Sequence, residues 1–370
     1  MINIDERQFI PLKNYISEYK ELNSTGEFAP VAVGRYGIRT RESIYSKELA
    51  KDYSKNKLIF KDTLTVGMGS VQIDIGILTD DVTYSVSPAY HTYRISGIDS
   101  DYLRYCLQCR NKDMFLRYVK RGSRQGKSID LKRWLTYEIP VYSDVQQNEI
   151  VKNLKISEKI IEKRKLQLKY LDDLISGRFV ELFGEPLSNK NGWQTMSIVE
   201  AAPIKSQHGD LADEVWLLNL DAVEAQTGTV LFKNRVQSGE INASTVYFTT
   251  DNVLYSKLRP YLNKVVMPDE DGVATSEMIP LYPMADKLKR AYLCYWLRSD
   301  AFVRHISEKV SGAKMPRVSM DYFRSLAIEL PLLGLQEQFA DFVKVVDKSK
   351  LCGGNYERRM LDLQSSIGIS

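Results

Sequence analysis

The stretch Gly122-Ser123-Arg124-Gln125-Gly126-Lys127-Ser128 has the residue types of a phosphate cradle. Glycines let backbone N–H groups face an anion, and a lysine and a hydroxyl follow. The spacing does not fit that chemistry. A P-loop sets four residues between its glycines, and here Ser123, Arg124 and Gln125 alone intervene. A P-loop must also leave a buried strand and open a helix, so that the helix dipole meets the phosphate. The preceding "KDMFLRYVKR" (112–121) reads as an amphipathic helix instead. The stretch is therefore expected to be a structural turn carrying variable, mostly cationic residues.

Other reactive residue types make no site. Cys106 and Cys109 form a C-x-x-C, but a zinc ion needs two more ligands at suitable spacing, and the other cysteines, Cys294 and Cys352, are far off in sequence. The pair falls in "YLRYCLQC" and reads as two thiols of one helix, partly in a core. His91, His208 and His305 are scattered. "PDEDG" (268–272) begins like a nuclease motif, yet Met278 and Ile279 follow Glu277 where such a site needs a lysine; a polar turn between strands is the better reading. Neither an N-P-P-[YF] methyltransferase motif nor a G-x-G-x-x-G loop occurs.

The elements that position these residues come in two copies. A chain of 370 residues is too long for one core and implies two domains. "KSIDLKRWLTYEIPVYSDVQQNEI" (127–150) returns about 190 residues later as "RVSMDYFRSLAIELPLLGLQEQFA" (317–340). Asp130 aligns with Asp321, Arg133 with Arg324, Glu138 with Glu329, Pro140 with Pro331, and Gln146 with Gln336 after a one-residue slip. "DYLRYCL" (101–107) parallels "AYLCYWL" (291–297). That period is too long for a solenoid and indicates a duplicated domain. Each copy runs from Val-, Ile-, Thr- and Tyr-rich strands, including "IDIGIL" and "TGTVLF", to helices at roughly 99–120 and 286–310. A glycine loop, a short helix, a strand and a long helix follow.

The spacing predicts a long helix over 144–184. Leu154, Ile161, Leu168, Ile175 and Leu182 recur at sevens, with Leu171 beside them, as in a coiled-coil seam. Charges, among them Glu158, are expected on its outside. At 1.5 Å per residue it would reach on the order of 60 Å. Its expected partner, packed antiparallel, is the helix beginning at 334, whose apolar face carries Phe339, Phe342, Val343 and Val346 and which "CGG" (352–354) interrupts.

Two globular domains alternating with two long helices resemble the specificity subunits of type I restriction–modification enzymes. The likeness rests on "VLYSKLRPYLNKVV" (253–266), "ATSEMIPLYP" (274–283), "VSGAKMPRVSMDYFRSLAIELPLLGLQEQ" (310–338) and "YLDDLISGRFVELFGEP" (170–186). The first copy departs from it in reading "TVGMGSVQIDIGIL" (65–78), without the Arg-Pro pair. The resemblance implies a mixed α/β protein, pseudo-two-fold symmetric. Its target-recognition domains would be residues 1–143 and 185–333, separated by antiparallel helices at 144–184 and 334–370. It implies no catalysis and no cofactor in this chain. S-adenosylmethionine would sit on the partner methyltransferase, and ATP and Mg on the partner restriction subunit. Double-stranded DNA with a bipartite site, two methyltransferase subunits and restriction subunits would be the partners. The alternatives are a self-contained methyltransferase or nuclease, and a scaffold that never touches DNA.

A DNA reader needs cations for phosphates and forked or amide side chains for base edges. The first copy offers Arg35, Arg39 and Arg41, then Lys120, Arg121, Arg124, Gln125 and Lys127. The second offers Lys205 and Gln207, then Lys257, Arg259, Tyr261 and Lys264, then Lys314 and Arg317. The net charge of +4 permits such binding without requiring it. No apolar run is long enough to span a bilayer, and "MINIDERQFI" has no signal-peptide core, so a cytoplasmic location is expected.

Overall fold

A computed structural model describes residues 7–35, 37–43, 52–122, 126–206, 213–241, 244–312 and 315–351. The chain divides into two compact units. One is residues 1–163 with 355–370, and the other is 164–354. Nine α-helices lie among the described residues: α1 (Ser100–Cys109), α2 (Asn111–Tyr118), α3 (Leu131–Trp134), α4 (Asp144–Phe183), α5 (Ile198–Ala201), α6 (Arg290–Arg298), α7 (Asp300–Ser307), α8 (Met320–Ser325) and α9 (Leu333–Leu351). None is long and apolar enough to cross a membrane.

In the first unit, strand Thr63–Met68 lies between Ile73–Leu78 and His91–Ile95, and Ile16–Glu18 extends the sheet beyond His91–Ile95, all antiparallel. Lys57–Ile59 pairs with Tyr84–Val86, and Ser85 makes a parallel bridge to Pro30. The core beneath is Leu64, Val66, Tyr93, Tyr102, Leu103, Cys106, Trp134 and Ile139. α1 starts where the Asp99 carboxylate accepts the Tyr102 N–H at 2.8 Å, which satisfies a donor the helix leaves open. Tyr102, Leu103 and Cys106 then fall on one buried face. Burial pushes the Cys106 thiol up to about 12, so it stays protonated and packs as a small apolar group.

The second unit repeats this arrangement. Val253–Ser256 lies between Val265–Val266 and Met278–Leu281, with Ile204 bridging Leu281. Val246–Phe248 pairs antiparallel with Gly272–Ala274, which runs parallel to Glu214–Leu218. In both units a terminal pair closes the domain: Gln8–Pro11 with Glu138–Val141, and Gln194–Ser197 with Ala327–Leu330. "TGTVLF" makes only the bridge Val223 to Val230. The helical regions near 99–120 and 286–310 are each two helices. The Ser299 hydroxyl opens α7 by accepting the Phe302 N–H at 3.2 Å.

The two copies align differently from what their shared letters suggest. Trp134 N–H bonds the Asp130 carbonyl, as Phe323 N–H bonds that of Ser319, and both rings are fully buried. The equivalent of Asp130 is therefore Ser319, not Asp321, and Glu329 stands opposite Pro140, not Glu138. The Tyr102 hydroxyl donates to the Pro140 carbonyl, and Tyr292 to that of Glu329. The buried glutamine matching Gln336 is Gln147, not Gln146. Gln147 accepts the Asp99 N–H and donates to the Tyr142 carbonyl. Gln336 accepts the Lys289 N–H and donates to the Pro331 carbonyl. Each ties the start of a long helix to the start of the helix that opens "YLRYCL" or "YLCYWL".

α4 does not carry one continuous seam. Leu154 lies in the first unit's core with Ile150 and Val151, and Ile161 and Leu168 are half-buried. Glu158, expected outside, accepts the Tyr105 hydroxyl at 2.7 Å and an Arg104 N–H at 3.3 Å. Within the second unit α4 packs antiparallel on α9. Phe179 and Phe183 meet Phe339 at 5.3 and 5.6 Å between ring centres, and Asp172 pairs with Lys350 at 2.8 Å. Ile175 and Val346 are buried there, with Leu171, Leu182 and Phe342 packed beside them. Phe179 and Phe183, spaced i, i+4, carry the contact although they lie off the seven-residue series. The break at 352–354 lies outside the described residues.

Candidate nucleic-acid interface

In the second unit one edge gathers the cations. The chain leaving strand Val253–Ser256 is held on both sides by backbone bonds. Lys257 N–H donates to the Glu277 carbonyl at 3.0 Å, Val318 N–H to that of Lys257 at 3.0 Å, and Arg259 N–H to that of Pro316 at 2.8 Å. This puts Lys257 and Arg259 beside the hairpin of Val310–Ser311 and Arg317–Val318. Arg259 has φ +49°, a left-handed conformation that costs a residue with a Cβ roughly 1–2 kcal/mol. It starts the turn Pro260–Leu262, which leaves Tyr261 exposed. Arg317 is bound by the Glu277 carboxylate, with Nη2 and Nε at 2.9 and 3.0 Å from Oε1.

Two other cations of this unit point elsewhere. Lys264 turns inward, its Nζ donating to the Leu220 carbonyl at 2.6 Å, and burial lowers its pKa. Lys205 lies 4.6 Å from the Tyr282 ring centre, on the segment that bridges to strand Met278–Leu281. Gln207 and Lys314 lie outside the described residues.

In the first unit the described ends of "GSRQGKS" lie on two paired antiparallel strands, Val119–Gly122 and Gly126–Ile129. Gly126, at φ +76°, begins the returning strand, so no helix N-terminus faces Lys127. That lysine donates to the Ser70 carbonyl, and its Nζ lies 5.3 Å from the Phe115 ring centre. Lys120 pairs with Asp130 at 2.6 Å but is 65% exposed. Arg121 is on the outgoing strand, while Arg124 and Gln125 lie outside the described residues. A second hairpin, Val31–Gly34 with Gly37–Thr40, carries Arg39 and, at its turn, Arg35, both exposed. It lies so close on strand Ile73–Leu78 that a Cβ on Gly76 would stand 2.6 Å from Ile38. Arg41 follows it, its guanidinium 5.5 Å from the Tyr53 ring centre.

Two acids of the nuclease-like stretch are occupied. "PDEDG" joins strands Val265–Val266 and Gly272–Ala274, with Asp269 bonded to Lys233 at 2.8 Å and Glu270 to Arg235 at 2.7 Å. Among the described residues no three His, Cys, Asp or Glu side chains converge as a metal site.

Residues 191–352 match the family described as the type I restriction modification DNA specificity domain. Through this segment the chain is similar to the type I specificity family. A curated relative, the type I restriction enzyme EcoDI specificity subunit of Escherichia coli, is 25% identical over 150 residues, which are 40% of this chain and 33% of that protein. The match thus spans about a third of the relative's length. Two solved structures share the fold. The type I restriction-modification system S subunit from M. genitalium covers 98% of this chain and 94% of its own at 14% identity, with a TM-score of 0.53. A chain described under "Structural basis underlying complex assembly and conformational transition of the type I R-M system" covers 98% and 96% at 13% identity, with a TM-score of 0.52. The segment matching the specificity family contains the clamped edge around Lys257, Arg259 and Arg317 and all of α9.

Proposed function

We propose that this chain is the non-catalytic DNA-reading subunit of a cytoplasmic type I restriction–modification complex. Each duplicated unit reads one half of a bipartite site. The long helices set the gap and dock two methyltransferase subunits, which restriction subunits join. Methyl transfer belongs to the partner, because the target base must leave the stack to reach a catalytic pocket. The observation that carries this reading is one framework used twice. The buried glutamines and tyrosines repeat bond for bond, while the hairpins above them carry different residues. Two readers of different half-sites need that combination. Residues 1–143 and 185–333 are the proposed recognition domains.

Methylome sequencing of cells that co-express the chain with its methyltransferase subunit tests this. The expected result is a methylated split motif with a fixed gap. Exchange of residues 1–143 for those of another specificity chain should rewrite one half only. No methylation, with the partner active alongside another specificity chain, refutes the reading.

Arg259 makes a second test. Its side chain is exposed and bonded to no carboxylate among the described residues, which suits a phosphate contact. Arg259→Ala should weaken DNA binding and flatten the dependence of log K on log salt by about 0.9, with the motif unchanged. Titrations at several salt concentrations measure this, and an unaltered slope removes Arg259 from the interface.

A further inference from the structure

Resting on the reading above, we propose that Arg317 reads a guanine in the second half-site and that Glu277 is the positioning residue that aims it. A guanidinium has five N–H donors in a rigid plane. Glu277 takes the Nε/Nη2 edge, with Oε1 at 3.0 and 2.9 Å and Oε2 at 3.3 Å from Nε. The Met315 carbonyl lies 3.4 Å from Nη1 and takes one donor there. One N–H on Nη1 and one on Nη2 are left, side by side at the tip. Arg317 is 43% exposed and Glu277 23%, so that tip faces solvent while the carboxylate sits behind it.

Two parallel donors fit either the O6 and N7 acceptors of guanine or two oxygens of a phosphate. Charge separates the two. Phosphate binding is driven by net positive charge and counterion release. Glu277 cancels the charge of Arg317 and would repel a phosphate oxygen nearby. A guanine edge is neutral and rewards direction, which the ion pair supplies. Lys257 and Arg259, alongside and without a bonded carboxylate among the described residues, are the ones suited to phosphate.

The mount is stiff. Arg317 bridges Leu258 and pairs with Ser311, and the chain carrying Glu277 is bonded to Lys257. A reading group needs such support, because a base contact tolerates little misplacement. Ser128 holds the register position of Arg317 in the first unit, pairing with Lys120 as Arg317 pairs with Ser311. The device therefore belongs to the second half-site alone.

The test is the methylome of cells co-expressing the methyltransferase subunit with the natural chain, with Arg317→Lys and with Glu277→Gln. Arg317→Lys keeps the charge and the pairing with Glu277 but loses the fork. The preference for G·C at one position of the second half-site should fall roughly 5- to 150-fold, with the first half intact. Glu277→Gln should relax the same position less. An unchanged motif, at full or reduced methylation, overturns the assignment, since a structural ion pair or a phosphate contact behaves that way. A natural chain that directs no methylation defeats the underlying reading instead. Should Arg317→Lys fail to accumulate, the natural complex can be tested on duplexes with 7-deazaguanine at each guanine of the second half-site. Loss of affinity at one position supports the assignment, and loss at none overturns it.

Discussion

Phe339→Ala is expected to destabilise the second unit by about 4 kcal/mol, the largest effect of any substitution in α9. The ring is fully buried and meets three others, Phe179, Phe183 and Tyr295, and behind them the Tyr292 ring stacks on Phe179 and meets Phe183 edge to face. Edge-to-face pairs of this kind add to the area each ring buries. Removing the central ring loses the contacts of its neighbours together, because α4 and α9 cannot both close on a cavity of that shape. For a unit of this size the melting temperature should fall on the order of 10 °C. Hydrogen exchange should rise around Phe179 and Val343 while amides around Trp134, in the other unit, keep their protection. A loss below about 1 kcal/mol would show that the helix pair is held elsewhere. Phe342→Ala, at a half-buried position beside the same core, should cost markedly less.

Glu329→Ala is expected to cost about 3 kcal/mol or more, for a different reason. The carboxylate is 6% exposed and accepts the Trp296 indole N–H at 2.6 Å and the Leu187 N–H at 2.8 Å. Truncation leaves two buried donors unsatisfied, at roughly 1–3 kcal/mol each. Leu187 has φ +68°, so the turn after α4 also loses the bond that holds a strained residue. Glu329→Gln retains one acceptor oxygen and should fall between the natural chain and Glu329→Ala in urea unfolding. If Glu329→Gln and Glu329→Ala unfolded at the same midpoint, the paired acceptor role would be wrong. Among the described residues the first unit has no such device: Pro140 stands at the position of Glu329 and the buried Cys106 at that of Trp296.

Much of this architecture was legible in the residues. The apolar period marked α4 from Asp144, and the strand-like run "IDIGIL" (73–78) became a strand. The duplication was visible as a repeated order of elements. Those signals are local: the period of buried side chains reports which face is covered, whatever covers it. The mixed α/β class follows from the same order of elements.

What the residues could not settle was correspondence. Identical letters paired Asp130 with Asp321, Glu138 with Glu329 and Gln146 with Gln336, yet the bonds equate Asp130 with Ser319, Pro140 with Glu329 and Gln147 with Gln336. A buried position is defined by the groups it must satisfy, and several residue types can satisfy them. The seven-residue series likewise pointed to one seam, while tertiary packing placed Leu154 in one core and Ile175 in another and gave the contact with α9 to Phe179 and Phe183. Charge was the least legible property. Lys264 and Arg317 look alike in sequence, but one is turned to a backbone carbonyl and the other locked to Glu277. The element order, the repeat and the stock of cations are written in the residues. Which cations meet at one edge, and what each is bonded to, arises on folding, because such partners come from strands and turns far apart along the chain.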